Sequence, residues 1–141
     1  MDFRNIIECE PGTPGWKHPD VRIRIDTVQF LDEQDLLIKI AQTDSSPSVR
    51  AEAAFRIEDQ DFLKYLYYNE KDSMVRRSIV NAIDDESLLI NIAYGNDDVM
   101  VRCAAVSSQY LKDETVLEEI AKNDTEKKVR LYCVMNPNLT N

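Results

Sequence analysis

The chain has few of the residues that break helices. It contains three glycines and five prolines in 141 residues, and Pro11-Gly12 and Pro14-Gly15 fall in one short stretch near the N-terminus. Elsewhere, long helical tracts are allowed. There is one histidine, and no glycine-rich phosphate loop or metal-ligand spacing, so no nucleophile and base pair can be assembled from the sequence. Catalysis and a bound cofactor are therefore not expected. Cys9, Cys103 and Cys133 are an odd set without a CxxC pair, which disfavours both a disulfide framework and a zinc knuckle and reads as free thiols in a reducing compartment. No apolar run approaches the 18 residues of a membrane span, and Met1-Asp2-Phe3-Arg4 does not open like a signal peptide. A cytoplasmic protein without membrane contact is the expectation. Positive charge is also short, with 17 Lys and Arg against 26 Asp and Glu, a net charge of −9. That field disfavours a nucleic-acid partner and suits a protein of neutral or basic surface.

Hydrophobic residues make up 43% of the chain and charged residues 30%, enough for one packed domain over residues 1–141. The dipeptide Val-Arg recurs at Val21-Arg22, Val49-Arg50, Val75-Arg76, Val101-Arg102 and Val129-Arg130, at intervals of 28, 26, 26 and 28. Thirteen residues before each of the last four marks stands an apolar block. The blocks are Leu36-Leu37 with Ile40-Ala41, Phe62-Leu63 with Leu66-Tyr67, Leu88-Leu89 with Ile92-Ala93, and Val116-Leu117 with Ile120-Ala121. The i, i+1, i+4, i+5 spacing draws one stripe on a helix and rules out a half-buried strand. From each Val-Arg a second helical stripe begins, as in Val49, Ala53, Ala54, Ile57. Pro19 and Pro47 stand two residues before their valines, where a first-turn proline loses no hydrogen bond. His18, Ser46, Asp72, Asp98 and Glu126 then take the N-cap positions.

A lone hairpin of this length cannot bury its stripe, so hairpins must stack. The expected fold is all-α, a right-handed α-solenoid of about five short helical hairpins. Residues 1–18 form an N-terminal cap, 19–136 the repeats and 137–141 a tail. The longer intervals place two extra residues around Phe30-Leu31 and Tyr110-Leu111.

Val-Arg-x-x-Ala after an acid, with Leu-Leu-x-x-Ile-Ala between marks, resembles the short HEAT-like repeats of the armadillo-type superfamily over about residues 19–136. The resemblance implies that Arg50, Arg76, Arg102 and Arg130 bond acids of adjacent repeats such as Asp44, Glu70, Asp97 and Asp124. The C-terminal stretch from Val129 to Asn138, ending Asn136-Pro137-Asn138, also resembles the leucine-rich-repeat variant, whose units run into such a turn. That family's iron–sulfur cluster is not carried over, because four cysteine ligands are the usual requirement and Cys9 stands alone in the N-terminal segment. HEAT-like repeats also occur in phycobilin lyases and in DNA glycosylases. Nothing here marks a bilin site, and the acidic balance opposes a DNA track.

Three features stand outside the repeat pattern. The segment 9–18 holds the only tryptophan and the only histidine, and Trp16 with His18 reads either as a lid on the open end of the stack or as a ligand loop. Asp26 falls, in the Val21-Arg22 register, where other repeats carry Ala54, Val80, Val106 and Val134. It is expected to face solvent or Arg24. Beside the first-helix stripes lie Ile38, Lys64, Ile90 and Glu118, then Gln42, Tyr68, Tyr94 and Lys122. Ile38, Tyr68, Ile90 and Tyr94 read either as an interaction patch or as packing. The function expected is a non-catalytic protein–protein interaction module.

Overall fold

The computed structural model describes residues 11–140; Cys9 and the start of the N-terminal segment lie outside them. Among the described residues the chain is all helical. A 3-10 turn, Gly15–Lys17, leads into α1 (Val21–Val28). Four helical pairs follow: α2 (Gln34–Thr43) with α3 (Pro47–Phe55), α4 (Gln60–Asn69) with α5 (Ser73–Ala82), α6 (Glu86–Tyr94) with α7 (Val99–Val106), and α8 (Glu114–Asn123) with α9 (Lys127–Val134). Each pair packs on itself, and α1, α3, α5, α7 and α9 pack in succession against one another. The recurrence in the sequence thus becomes a stack of second helices, in which α3, α5, α7 and α9 are each flanked by their own first helix and α1 by the 3-10 turn.

The helix starts follow from short acidic caps. Asp59, Asp85 and Asp113 cap α4, α6 and α8, accepting from the backbone N–H of Phe62, Leu88 and Val116. Asp72 and Asp98 do the same for α5 and α7. Each such cap contributes about 1 kcal/mol by satisfying an otherwise free amide. Pro47 is the first residue of α3, as its spacing from Val49 implies.

The core is one line of side chains through the stack. Val49, Val75, Val101 and Val129 are fully buried, as are Leu37, Leu63, Leu89 and Leu117 on the first helices. Truncating any of these leucines to Ala removes packing worth about 2–5 kcal/mol.

The first repeat departs from the reading above. Ile23-Arg24 stands 26 residues before Val49-Arg50, and it is Arg24 whose side chain bonds Asp44 across the stack at 3.0 Å, while Arg22 reaches only its own Asp20. The Val21-Arg22 dipeptide was a two-residue misregister. In the corrected register Val28 lines up with Ala54, Val80 and Val106, and all four are fully buried. Asp26 is exposed, so no acid enters the core. The cap of α1 is Asp20, accepting from Arg22 N–H, with Pro19 just outside the helix; His18 is not the cap. The extra residues therefore fall in the last two repeats alone. Leu31, Ile57, Ile83, Leu111 and Leu139 are equivalent positions at intervals of 26, 26, 28 and 28, and the insertions are the turns after α7 and α9.

Two glycines have steric reasons. Gly12 has φ +86°, and a Cβ on Gly15 would collide with the Thr27 hydroxyl of α1.

Candidate functional site

Helices α2, α4, α6 and α8 leave a shallow hollow between each successive two, and the tyrosines of α4 and α6 line these hollows. Gln42 and Tyr65 line the first hollow, Tyr67 and Tyr68 with Asn91 and Ile92 the second, Tyr94 with Glu119 and Ile120 the third. Tyr68 is 71% exposed and Tyr94 47%. They occupy the same helical position 26 residues apart, so each leans over the groove towards the next first helix. Ile38 and Ile90 differ: both are partly buried and pack against the core. One helical turn separates the two sets, which is why a stripe that looks continuous in sequence divides into packing and surface.

A series of ion pairs joins successive helical pairs, and Glu70, Asp97 and Asp124 of the series border the three grooves. Arg24 bonds Asp44, Arg50 bonds Glu70, Arg76 bonds Asp97 and Arg102 bonds Asp124. Each guanidinium reaches from a second helix to the turn inside the following pair. Each carboxylate also orders its own turn: Asp44, Glu70 and Asp124 accept from the backbone N–H two residues on. The pairing runs forward by one repeat, so Asp44 belongs to Arg24. Arg130 bonds the Asp124 carbonyl and has no carboxylate partner among the described residues.

Tyr67 joins this series. Its hydroxyl donates to Asp97 at 2.7 Å, and burial, together with that carboxylate, pushes its pKa far above the ordinary value. Tyr94 donates to Glu119, and burial followed by this bond pushes it up to about 12. Burial raises Asp97 and Asp124, but hydrogen bonds from their arginines outweigh it and both carboxyls end below the usual range. Burial also pushes the Cys133 thiol up to about 11, while its S–H donates to the Leu117 carbonyl at 3.0 Å. Cys103 is buried and raised for the same reason. At neutral pH both phenols and both thiols are protonated and the two carboxylates are charged and paired. The surface is suited to contact and hydrogen bonding.

At the other end, Trp16 is partly buried against the core. The Lys17 and Lys39 ammonium groups lie 4.8 and 5.4 Å from its ring centre, within reach of cation–π attraction. His18 Nδ1 accepts from Asp20 N–H, and the His18 carbonyl accepts from Arg24. Asp44 plays the same two backbone roles for Ser46 and Arg50. His18 thus holds the register position of the carboxylates without being one, and Trp16 covers α2 beside Ile40 and Asp44.

A second series escaped the sequence reading. The first residue of each first helix bonds the backbone of the turn that precedes the next pair. Gln34 donates to Arg56 O and accepts from Glu58 N–H, and Gln60 does the same with Ala82 and Asp84. Glu86 accepts from the N–H groups of Lys112 and Asp113, and Glu114 from that of Thr140. The signal was present as Gln or Glu immediately after each acidic cap, at intervals of 26, 26 and 28.

No family model matches the chain, and neither does any curated protein or solved structure.

Proposed function

We propose that this chain is a non-catalytic interaction module: a right-handed α-solenoid of about five short HEAT-like units that binds another protein along the face of its first helices. The observation that carries the reading is the placement of Tyr68 and Tyr94, exposed at the same position of consecutive first helices and each overhanging a groove. Aromatic side chains supply large contact area with few rotors to freeze and are enriched in protein interfaces. The net charge of −9 favours a partner of neutral or basic surface. Low-reactivity buried thiols suit a cytoplasmic setting.

The test is capture from native lysate with wild type and with a Tyr68→Ala/Tyr94→Ala double variant, compared by quantitative mass spectrometry. A partner retained by wild type and lost by the variant supports the module and its face. Stoichiometric metal or a visible absorption band in the purified protein would overturn the non-catalytic reading.

A further inference from the structure

An apolar hollow opens on the edge of the stack where each second helix turns into the next first helix. Between the first two of these turns, Leu31 and Phe55 line a cavity of about 480 Å³ together with the carboxylates Asp32 and Glu58. Phe55 is 57% exposed, and Phe30, next to Leu31 in the chain, 84%. Arg56 also lines the cavity, but its guanidinium is held by Glu52. The negative charge of the chain gathers on the same edge. Residues 29–35, 56–61, 82–87 and 107–115 hold 11 Asp and Glu against two Lys and Arg, an excess of nine that equals the net charge of −9. Within the helical pairs, by contrast, Asp44, Glu70, Asp97 and Asp124 each hold an arginine. Helix capping accounts for only part of the excess. Asp59, Asp85 and Asp113 bond first-turn amides. Asp32, Glu58 and Asp84, each one residue before a cap, are exposed and make no ion pair among the described residues. These three stand at intervals of 26. The Gln34 and Gln60 side chains bond Glu58 N–H and Asp84 N–H and so tie successive turns together, which sets the three carboxylates in a row along the edge.

We propose that this edge docks an extended, arginine-rich segment of another protein. One arginine enters the cavity to stack on Phe55 and pair with its carboxylates, and the others pair along the row. Charge complementarity selects the occupant, and arginine fits it best, because a planar guanidinium both stacks on an aromatic face and pairs with a carboxylate through two hydrogen bonds. Packed helices lie about 8–10 Å apart and an extended chain advances about 3.3 Å per residue, so arginines at every third position meet successive turns. A second copy of this chain would oppose one acidic edge to another. The first ten residues, with three acids and one arginine, carry the wrong charge. Further helical pairs stacked at either end would lengthen this edge rather than cover it. The edge is separate from the first-helix grooves and does not rest on their role.

The test is fluorescence anisotropy with a labelled nine-residue peptide that has arginine at every third position and glycine and serine between, set against its isomer with the three arginines adjacent. The chain should bind the spaced peptide more tightly than the isomer. Asp32→Asn/Glu58→Gln/Asp84→Asn should weaken that binding at least about tenfold. Phe55→Ala, which leaves the charge unchanged, should weaken it about threefold. Asp26→Asn/Glu118→Gln/Glu126→Gln removes the same charge elsewhere and should stay within about twofold of wild type at physiological salt. All the substituted side chains are exposed, so the core is left intact. Absence of binding overturns the proposal, as does equal affinity for the two peptides or equal loss in the two triple variants. Sedimentation provides the remaining arm: dimers dissolved by the Asp32, Glu58 and Asp84 substitutions would assign the edge to a second copy and overturn the proposed occupant, whereas a monomer supports it.

Discussion

Replacing Arg76 with alanine probes the ion-pair series at its best-connected member. The guanidinium makes three contacts of 2.7–3.1 Å to Asp97 and bonds the carbonyls of Glu70 and Lys71. Breaking a fully buried pair costs about 3–5 kcal/mol, while exposed pairs contribute under about 1 kcal/mol. The two side chains are 20% and 11% exposed, and Asp97 keeps donors from Tyr67 and the Asp98 N–H, which places the loss at about 2 kcal/mol. For a chain of this length that lowers Tm by roughly 5–8 °C. A double-mutant cycle with Asp97→Ala should give a coupling of about 1–2 kcal/mol. The pH dependence carries a sign. The Asp97 carboxyl is held below its usual value in the fold, so its contribution is present above about pH 4 and is lost as pH falls through the folded value. The stability gap between wild type and Arg76→Ala, measured by urea unfolding, should therefore narrow from pH 7 to pH 3. A Tm within about 1 °C of wild type together with zero coupling would refute the claim that these pairs join the repeats.

Arg130→Ala, at the same register without a carboxylate, should cost less than about 1 kcal/mol in the same assay. Asn136→Ala should lower stability by about 2–3 kcal/mol, since this buried side chain donates to Val106 O and Ser108 O and accepts from Asn138 N–H. Gln60→Ala, losing bonds to Ala82 O and Asp84 N–H, should cost about 1 kcal/mol and accelerate amide exchange chiefly at Asp84. Mass-resolved iodoacetamide labelling should find Cys103 and Cys133 unreactive in the native protein and reactive in urea, because both thiols are buried and their pKa values are raised.

Much of the helical pattern was readable because apolar residues at i, i+1, i+4 and i+5 fit only a helix stripe, and the buried Leu37, Leu63, Leu89 and Leu117 came directly from it. The first repeat was misplaced for a specific reason. A dipeptide was matched by identity, and Val21-Arg22 offered identity where Ile23-Arg24 offered equivalence. Both pairs can occupy the start of a helix, and two residues turn a helix by about 200°, so the slip carried Asp26 into an apparent core position and Val28 out of it. Proline reinforced the slip, since Pro19 before an Asp cap looks in sequence like Pro47 at a first turn. The proposed binding surface was less legible. Ile38 and Tyr68 both adjoin the stripe, and whether such a residue packs or projects depends on how closely neighbouring first helices approach, which no single repeat encodes.

The two extra residues in each of the last two repeats show how the stack tolerates variation. Ser108–Tyr110 and Asn136–Asn138 lengthen the turn after the second helix, yet the carboxylates of Glu86 and Glu114 still bind the turn's far end. In the shorter turns Gln34 and Gln60 donate as well as accept, through an amide that bonds the last carbonyls of the second helix. A carboxylate cannot donate, and in the longer turn after α9 that task passes to Asn136, whose amide bonds Val106 O and Ser108 O, and to Asn138, which bonds Gln109 O and Leu111 O. The Asn-Pro-Asn turn therefore folds back on the preceding repeat's turn and ties the two insertions together. The pattern Gln, Gln, Glu, Glu across the four first helices runs parallel to turn length: the side-chain amide donates in the two shorter turns, and the carboxylate only accepts in the two longer ones.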